Sequence, residues 1–152
     1  LLLVAVSVAV LPLYPEIGTL DSSIVPLASS LPRIEWDHSG DAPAIVRVSY
    51  SVPAENVDAF RAAMRHVRLS RRRTGAMRWW LMRQTDSPQT FVEEFVVPSW
   101  DEHTLQHTNR WTGYDAEVYQ RARDLTDSEP YVEHLLATDT LLSARQTEAD
   151  RD

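Results

Sequence analysis

Apolar and polar positions alternate along Ile45–Val52 (IVRVSYSV): Val46, Val48, Tyr50 and Val52 fall on one side, Arg47, Ser49 and Ser51 on the other. That period of two predicts a half-buried strand. The period then lengthens. Pro53 opens a helix with Glu55 and Asp58 in its first turn, where the helix dipole favours acids. Val57, Phe60, Met64 and Val67 recur at helical spacing as an apolar stripe, beside a face of Arg61, Arg65, Arg68 and Arg72. Gly75 is placed to end this helix. Met77–Gln84 (MRWWLMRQ) and Phe91–Val97 (FVEEFVV) predict two more strands. Asp86-Ser87-Pro88-Gln89 between them predicts a turn, so the two pair as a hairpin. Ser99 caps a second helix, with Asp101 and Glu102 in its first turn. The helix breaks near Thr112-Gly113 and resumes toward Arg123. After Pro130, Tyr131–Thr138 (YVEHLLAT) reads as the last strand.

The order β-α-β-β-α-β predicts an α+β fold, the ferredoxin-like sandwich, with both helices on one sheet face. The opposite face is neither wholly apolar nor wholly polar. Two such sheets closing face to face would bury it and enclose a cavity, so a homodimer through the open face is expected.

Ahead of this module the pattern is different. Leu1–Leu13 is almost wholly apolar. It is shorter than the ~20 residues of a full span, and it reads as the end of a transmembrane helix begun outside the chain. A signal-peptide remnant and an apolar strand or core helix are the alternatives. Residues 15–43, rich in Pro, Ser and Gly, read as a linker in which Trp36 either packs on the domain, the favoured reading, or sits at the bilayer interface. The expected organisation is therefore a membrane-helix end over 1–14, a linker over 15–43, the αβ domain over 44–138 and a mobile tail over 139–152.

Composition narrows the function classes. The chain has no Cys, which removes thiol nucleophiles and disulfides. Its net charge of −7 argues against a general nucleic-acid binder. All 15 basic residues are Arg, eight of them between Arg61 and Arg83, while fifteen of the 22 acids lie after residue 85. A GC-rich genome explains the missing Lys; bidentate anion contacts are the functional alternative. The run ending in Arg71, Arg72 and Arg73 reads as a solvated helix end. It is also a candidate membrane-facing patch, worth ~1 kcal/mol per Arg near anionic headgroups, and it marks a cytoplasmic side.

Candidate chemistry gathers around a possible pocket. His103 and His107 lie four apart on one helix and share a face. No third metal ligand accompanies them, so a polar cap, a dimer contact or a pocket role are the readings. Trp79 and Trp80 point to opposite sheet faces, one into the core and one free to line a cavity and stack on a planar ligand. Glu93 and Glu94 likewise oppose each other, and one lies inside beside Arg47, Arg78 or His134. Arg47, Trp80, Glu94, Trp100, His103, His107 and His134 are the ligand-pocket candidates. No Gly-rich phosphate loop, GxSxG or Walker motif is present, and no cofactor or metal is called for.

Several strings together carry a resemblance. They are Ala59-Phe60-Arg61-Ala62-Ala63-Met64-Arg65, then Arg71-Arg72-Arg73-Thr74-Gly75-Ala76-Met77-Arg78-Trp79, then Phe91-Val92-Glu93-Glu94-Phe95. Ser99-Trp100-Asp101-Glu102-His103 and His107 complete them. The stretch resembles the C-terminal domain of major facilitator transporters of the transmembrane secretion effector group, related to enterobactin exporters. There the domain follows the last membrane helix and a Pro-rich linker with a lone Trp. The resemblance implies a multi-pass protein of the cell membrane with this domain in the cytoplasm. The domain would then be a dimerisation or ligand-sensing accessory of an exporter of small molecules. The domain is also similar to the dimeric αβ-barrel group of antibiotic-biosynthesis monooxygenases and haem-degrading enzymes. Trp100 and His107 match two haem-site roles, but the first strand lacks the Asn of the third. The alternative the resemblance leaves is a cofactor-free monooxygenase acting on an aromatic compound, with Trp80, Trp100, His107 and His134 as candidates.

Overall fold

A computed structural model describes residues 20–27, 31–35 and 40–138. Strand β1 (Ala44–Ser51) is central and antiparallel to both neighbours, β3 (Thr90–Val97) and β4 (Tyr131–Leu136). Strand β2 (Arg78–Arg83) pairs with β3 at the far edge, giving the order β2-β3-β1-β4. This is the ferredoxin-like α+β arrangement read from the sequence. Strand β4 stops at Leu136, two residues short of the expected end.

The alternation seen in the sequence decides the faces. Val46, Val48, Tyr50, Phe91, Phe95 and Val97 point under the helices, where Phe60, Met64 and Val67 meet them. Those three come from α1 (Val57–Thr74), which a single 3-10 turn at Ala54–Asn56 leads into. Gly75 ends α1 with φ 134°, a conformation open to Gly, and its N–H reaches the Arg71 carbonyl at 3.2 Å. The hairpin turn is held by Thr90 N–H donating to the Ser87 carbonyl at 2.9 Å.

The second helical segment is divided, as the Thr112-Gly113 pair predicts. Helix α2 (Trp100–Leu105) begins at Ser99, whose hydroxyl accepts from the Glu102 N–H at 3.0 Å. It runs into a π-helical turn, Gln106–Arg110. Helix α3 (Gly113–Arg123) restarts on a capping box between Thr112 and Asp115. Helices α1 and α3 lie side by side over the sheet.

Residues read as linker join the domain. The Val25 N–H donates to the Trp111 carbonyl at 2.9 Å and the Leu27 N–H to the His107 carbonyl at 3.1 Å. In return, the Gly113 and Tyr114 N–H groups donate to the Ser23 and Asp21 carbonyls, each at 3.0 Å. Residues 21–27 thus form a strap bound through backbone to the break between α2 and α3. Among the described residues no helix is long and apolar enough to cross a membrane. Leu1–Leu13, Trp36 and residues 139–152 lie outside the described residues.

Candidate functional site

A cavity of about 840 Å3 opens between the sheet and the helices at the β4 edge, within the size range of small-molecule sites. Val46, Val48, Phe95 and Val132 form its sheet side. Trp111 and Tyr119 form its helix side, and Val25, Pro26, Leu27 and Pro32 add an outer wall. Polar groups also line it: Arg71, His103 and His107 from the helices and His134 from β4, with Gln120, Arg123, Glu129 and Glu133.

Arg71 corrects an expectation. Assigned to a membrane-facing run, it is instead 6% exposed. Its position continues the stripe Phe60, Met64, Val67, which carries it inward at the next helical turn. Its Nε donates to Glu93 Oε1 at 3.0 Å. The guanidinium lies over Phe95, Trp111 and Tyr119, with ring centroids 4.7, 5.4 and 5.1 Å away. Glu93 is wholly buried and also accepts from Tyr50 Oη at 2.7 Å and Trp79 Nε1 at 2.8 Å. Burial works against the Arg71 charge, and the adjacent Glu93 overrides it, so the guanidinium is held firmly protonated. Burial, reinforced by Glu93, pushes the Tyr50 phenol well up. Of the other two membrane-facing candidates, Arg72 is exposed, and Arg73 is ion-paired to buried Asp115.

His103 is 1% exposed. Its Nδ1 sits 3.0 Å from Gln106 Oε1, and Gln106 Nε2 donates to Thr74 Oγ1 at 2.9 Å. The Thr74 hydroxyl donates onward to the Ser70 or Arg71 carbonyl, at 3.0 and 3.1 Å. This one-way relay puts the imidazole proton on Nδ1 and the lone pair on Nε2. Nε2 has no hydrogen-bond partner. Burial, with added repulsion from His107, His134 and Arg71, pushes the pKa of His103 down to about 3, against a smaller opposing effect of the Gln106 hydrogen bond. Burial also lowers that of His134. The three imidazoles cluster, His103 to His107 at 4.6 Å and His103 to His134 at 5.1 Å between centroids. Trp100 closes the cluster from behind, 5.5 Å from His103 and edge-on to His134 at 5.8 Å. Among the described residues no group of three or more His or carboxylates is arranged to hold a metal ion.

The structure therefore divides the sequence candidates. His103, His107 and His134 line the cavity, with Trp100 in contact behind them. Arg47, Trp80 and Glu94 do not; they stand on the sheet's other face, because their neighbours in the alternation point under the helices. There Arg47 Nη2 meets Glu94 Oε2 at 2.9 Å, and Trp80 is 42% exposed beside Glu94 in register. Arg71, Gln106, Trp111, Tyr119 and the strap are the parts the sequence reading missed. Only Arg71 carried a usable signal, its place in the stripe.

The sequence pattern of transmembrane secretion effectors matches residues 1–141, nearly the whole chain. The chain belongs to the transmembrane secretion effector family. No curated protein is significantly similar to it. Among solved structures, it is similar to a putative antibiotic biosynthesis monooxygenase from Nitrosomonas europaea, with TM-score 0.56 and 18% identity, covering 69% of this chain and 98% of that one. A putative antibiotic biosynthesis monooxygenase from Caulobacter crescentus CB15 gives TM-score 0.57 and 14% identity, over 66% and 93% of the two chains. One from Bordetella bronchiseptica gives 0.54 and 19%, over 64% and 99%. At these identities the likeness is one of fold, and chemistry must be argued from the site.

Proposed function

We propose that this chain supplies the cytoplasmic accessory domain of a multi-pass efflux transporter of the major facilitator type, and that the domain binds a small molecule. The observation carrying this reading is the cavity: a largely apolar space with a few convergent buried polar groups, the usual form of a small-molecule site. Family membership supports the transporter setting. Residues 1–14 serve in this reading as membrane-helix sequence, with exposed Arg72 toward the anionic leaflet.

The open sheet face is the dimer surface in the same reading. Ile45, Trp80, Met82, Val92, Val96, Tyr131 and Leu135 share it by register, around the Arg47–Glu94 pair. Met82, Tyr131 and Leu135 are 42, 66 and 41% exposed, apolar groups at the two edges of a face suited to face-to-face sheet packing.

The sidedness is testable because the chain has no Cys of its own. In the whole transporter, Arg72→Cys should add reactivity to an impermeant maleimide only after the cells are permeabilised. New labelling on intact cells would place the domain outside and sink the cytoplasmic assignment. A second reading, a cofactor-free monooxygenase, is favoured by one observation, the neutral base His103 in the cavity of a fold shared with proteins so named.

A further inference from the structure

Among the described residues, His103 presents an unanswered acceptor. His103 is among the residues lining the cavity, and its buried Nε2 has no hydrogen-bond partner, while Nδ1 is committed to Gln106. A buried acceptor left unmade costs about as much as a lost hydrogen bond, so a ligand donor that meets it removes that cost. The charges around it are already matched. Arg71 is neutralised by Glu93, Asp115 by Arg73, and at the mouth Arg123 pairs with Glu129. The walls are aromatic and aliphatic. Among the described lining residues no unbalanced arginine waits for a carboxylate or a phosphate.

Building on the ligand-binding reading above, we propose that the cavity selects a neutral, mostly apolar molecule carrying one hydroxyl or N–H group, which donates a hydrogen bond to His103 Nε2. Gln106 and Thr74 act as positioning residues: their relay holds the imidazole in the tautomer that accepts. Because burial keeps His103 neutral down to about pH 3, the acceptor is present throughout the physiological range. An anionic ligand would face the Glu129 and Glu133 carboxylates, with the lining arginines Arg71 and Arg123 already paired.

Three probes of one size separate the possibilities: 1-naphthol (a neutral donor), 1-methoxynaphthalene (acceptor only) and 1-naphthoate (an anion). Calorimetry on the 152-residue chain should give 1-naphthol an affinity roughly tenfold or more above its methyl ether, the worth of one buried hydrogen bond. The naphthoate should bind more weakly than the naphthol. The 15N resonance of His103 Nε2 should shift on adding the naphthol and stay in place with the ether. His103→Phe should bring naphthol and ether to within about twofold, with the ether affinity kept. Gln106→Met, which frees the ring to turn, should narrow the same ratio and covers the case in which the first variant does not fold. Equal binding of naphthol and ether, an unmoved Nε2 resonance, or tightest binding by naphthoate overturns donor recognition and leaves the ligand-binding reading standing. Failure of all three probes to bind overturns both.

Discussion

Arg71 occupies the place in the α1 stripe where another apolar residue would fall, and the consequences run through the site. Its charge is carried inside only because Glu93, from the neighbouring face of β3, meets it with Tyr50 and Trp79 completing the carboxylate's partners. The alternation of β3 showed that one of Glu93 and Glu94 had to be interior. It did not show the partner, which comes from α1 and is fixed by packing. His103 makes the second residue-scale case. Its folded pKa of about 3 lies below the ordinary 6.5, so folding favours the neutral ring. The stabilisation is complete above 6.5 and is lost as pH falls from there toward 3. The slope approaches ~1.4 kcal/mol per pH unit. Denaturant unfolding across this range should show the wild type losing stability more steeply than His103→Gln. Parallel curves would mean the imidazole is not held neutral by the fold.

Among the elements, strands were the most legible, because a two-sided sheet makes burial alternate with the chain. The break between α2 and α3 was legible from Thr112-Gly113, and the capping box explains it. The strap was not. Pro, Ser and Gly in residues 15–43 erase any period, and its attachment is backbone to backbone, which leaves no mark on side-chain pattern. The cavity was hidden for the same reason, since its outer wall is the strap and its inner wall depends on where the π-helical turn sets His107. Gly113 gives access to this element. A Cβ there would stand 1.9 Å from Asp21 Oδ2, on the strap itself. Gly113→Ala should therefore displace the Asp21 side chain and loosen residues 21–27 with α3 intact. Hydrogen exchange at the Val25 and Leu27 amides should quicken ~fivefold or more, the equivalent of about 1 kcal/mol for a lost backbone bond. Unchanged protection of both amides would show that the strap is held by something other than this backbone contact.

At the scale of the whole molecule, the sheet separates two roles. Its helix-covered face encloses the cavity with His103, His107 and His134, and its open face carries Trp80, Arg47 and Glu94. The sequence reading pooled these residues in one pocket expected between two open sheet faces, whereas the cavity found here lies under the helices and leaves the open-face residues out. In the two-role account the open face pairs copies of the domain. Trp80→Glu should then convert a dimer to a monomer in sedimentation while leaving cavity binding intact; a wild-type monomer would remove the pairing. The central claim is that the cavity binds its ligand without transforming it. Oxygen uptake by the purified chain, followed while 1-naphthol saturates the cavity, tests this most directly. The account predicts bound naphthol recovered unchanged and no oxygen consumed above the protein-free rate. Sustained uptake with an oxidised naphthol product, lost in His103→Phe, would contradict it and make the domain an oxygenase.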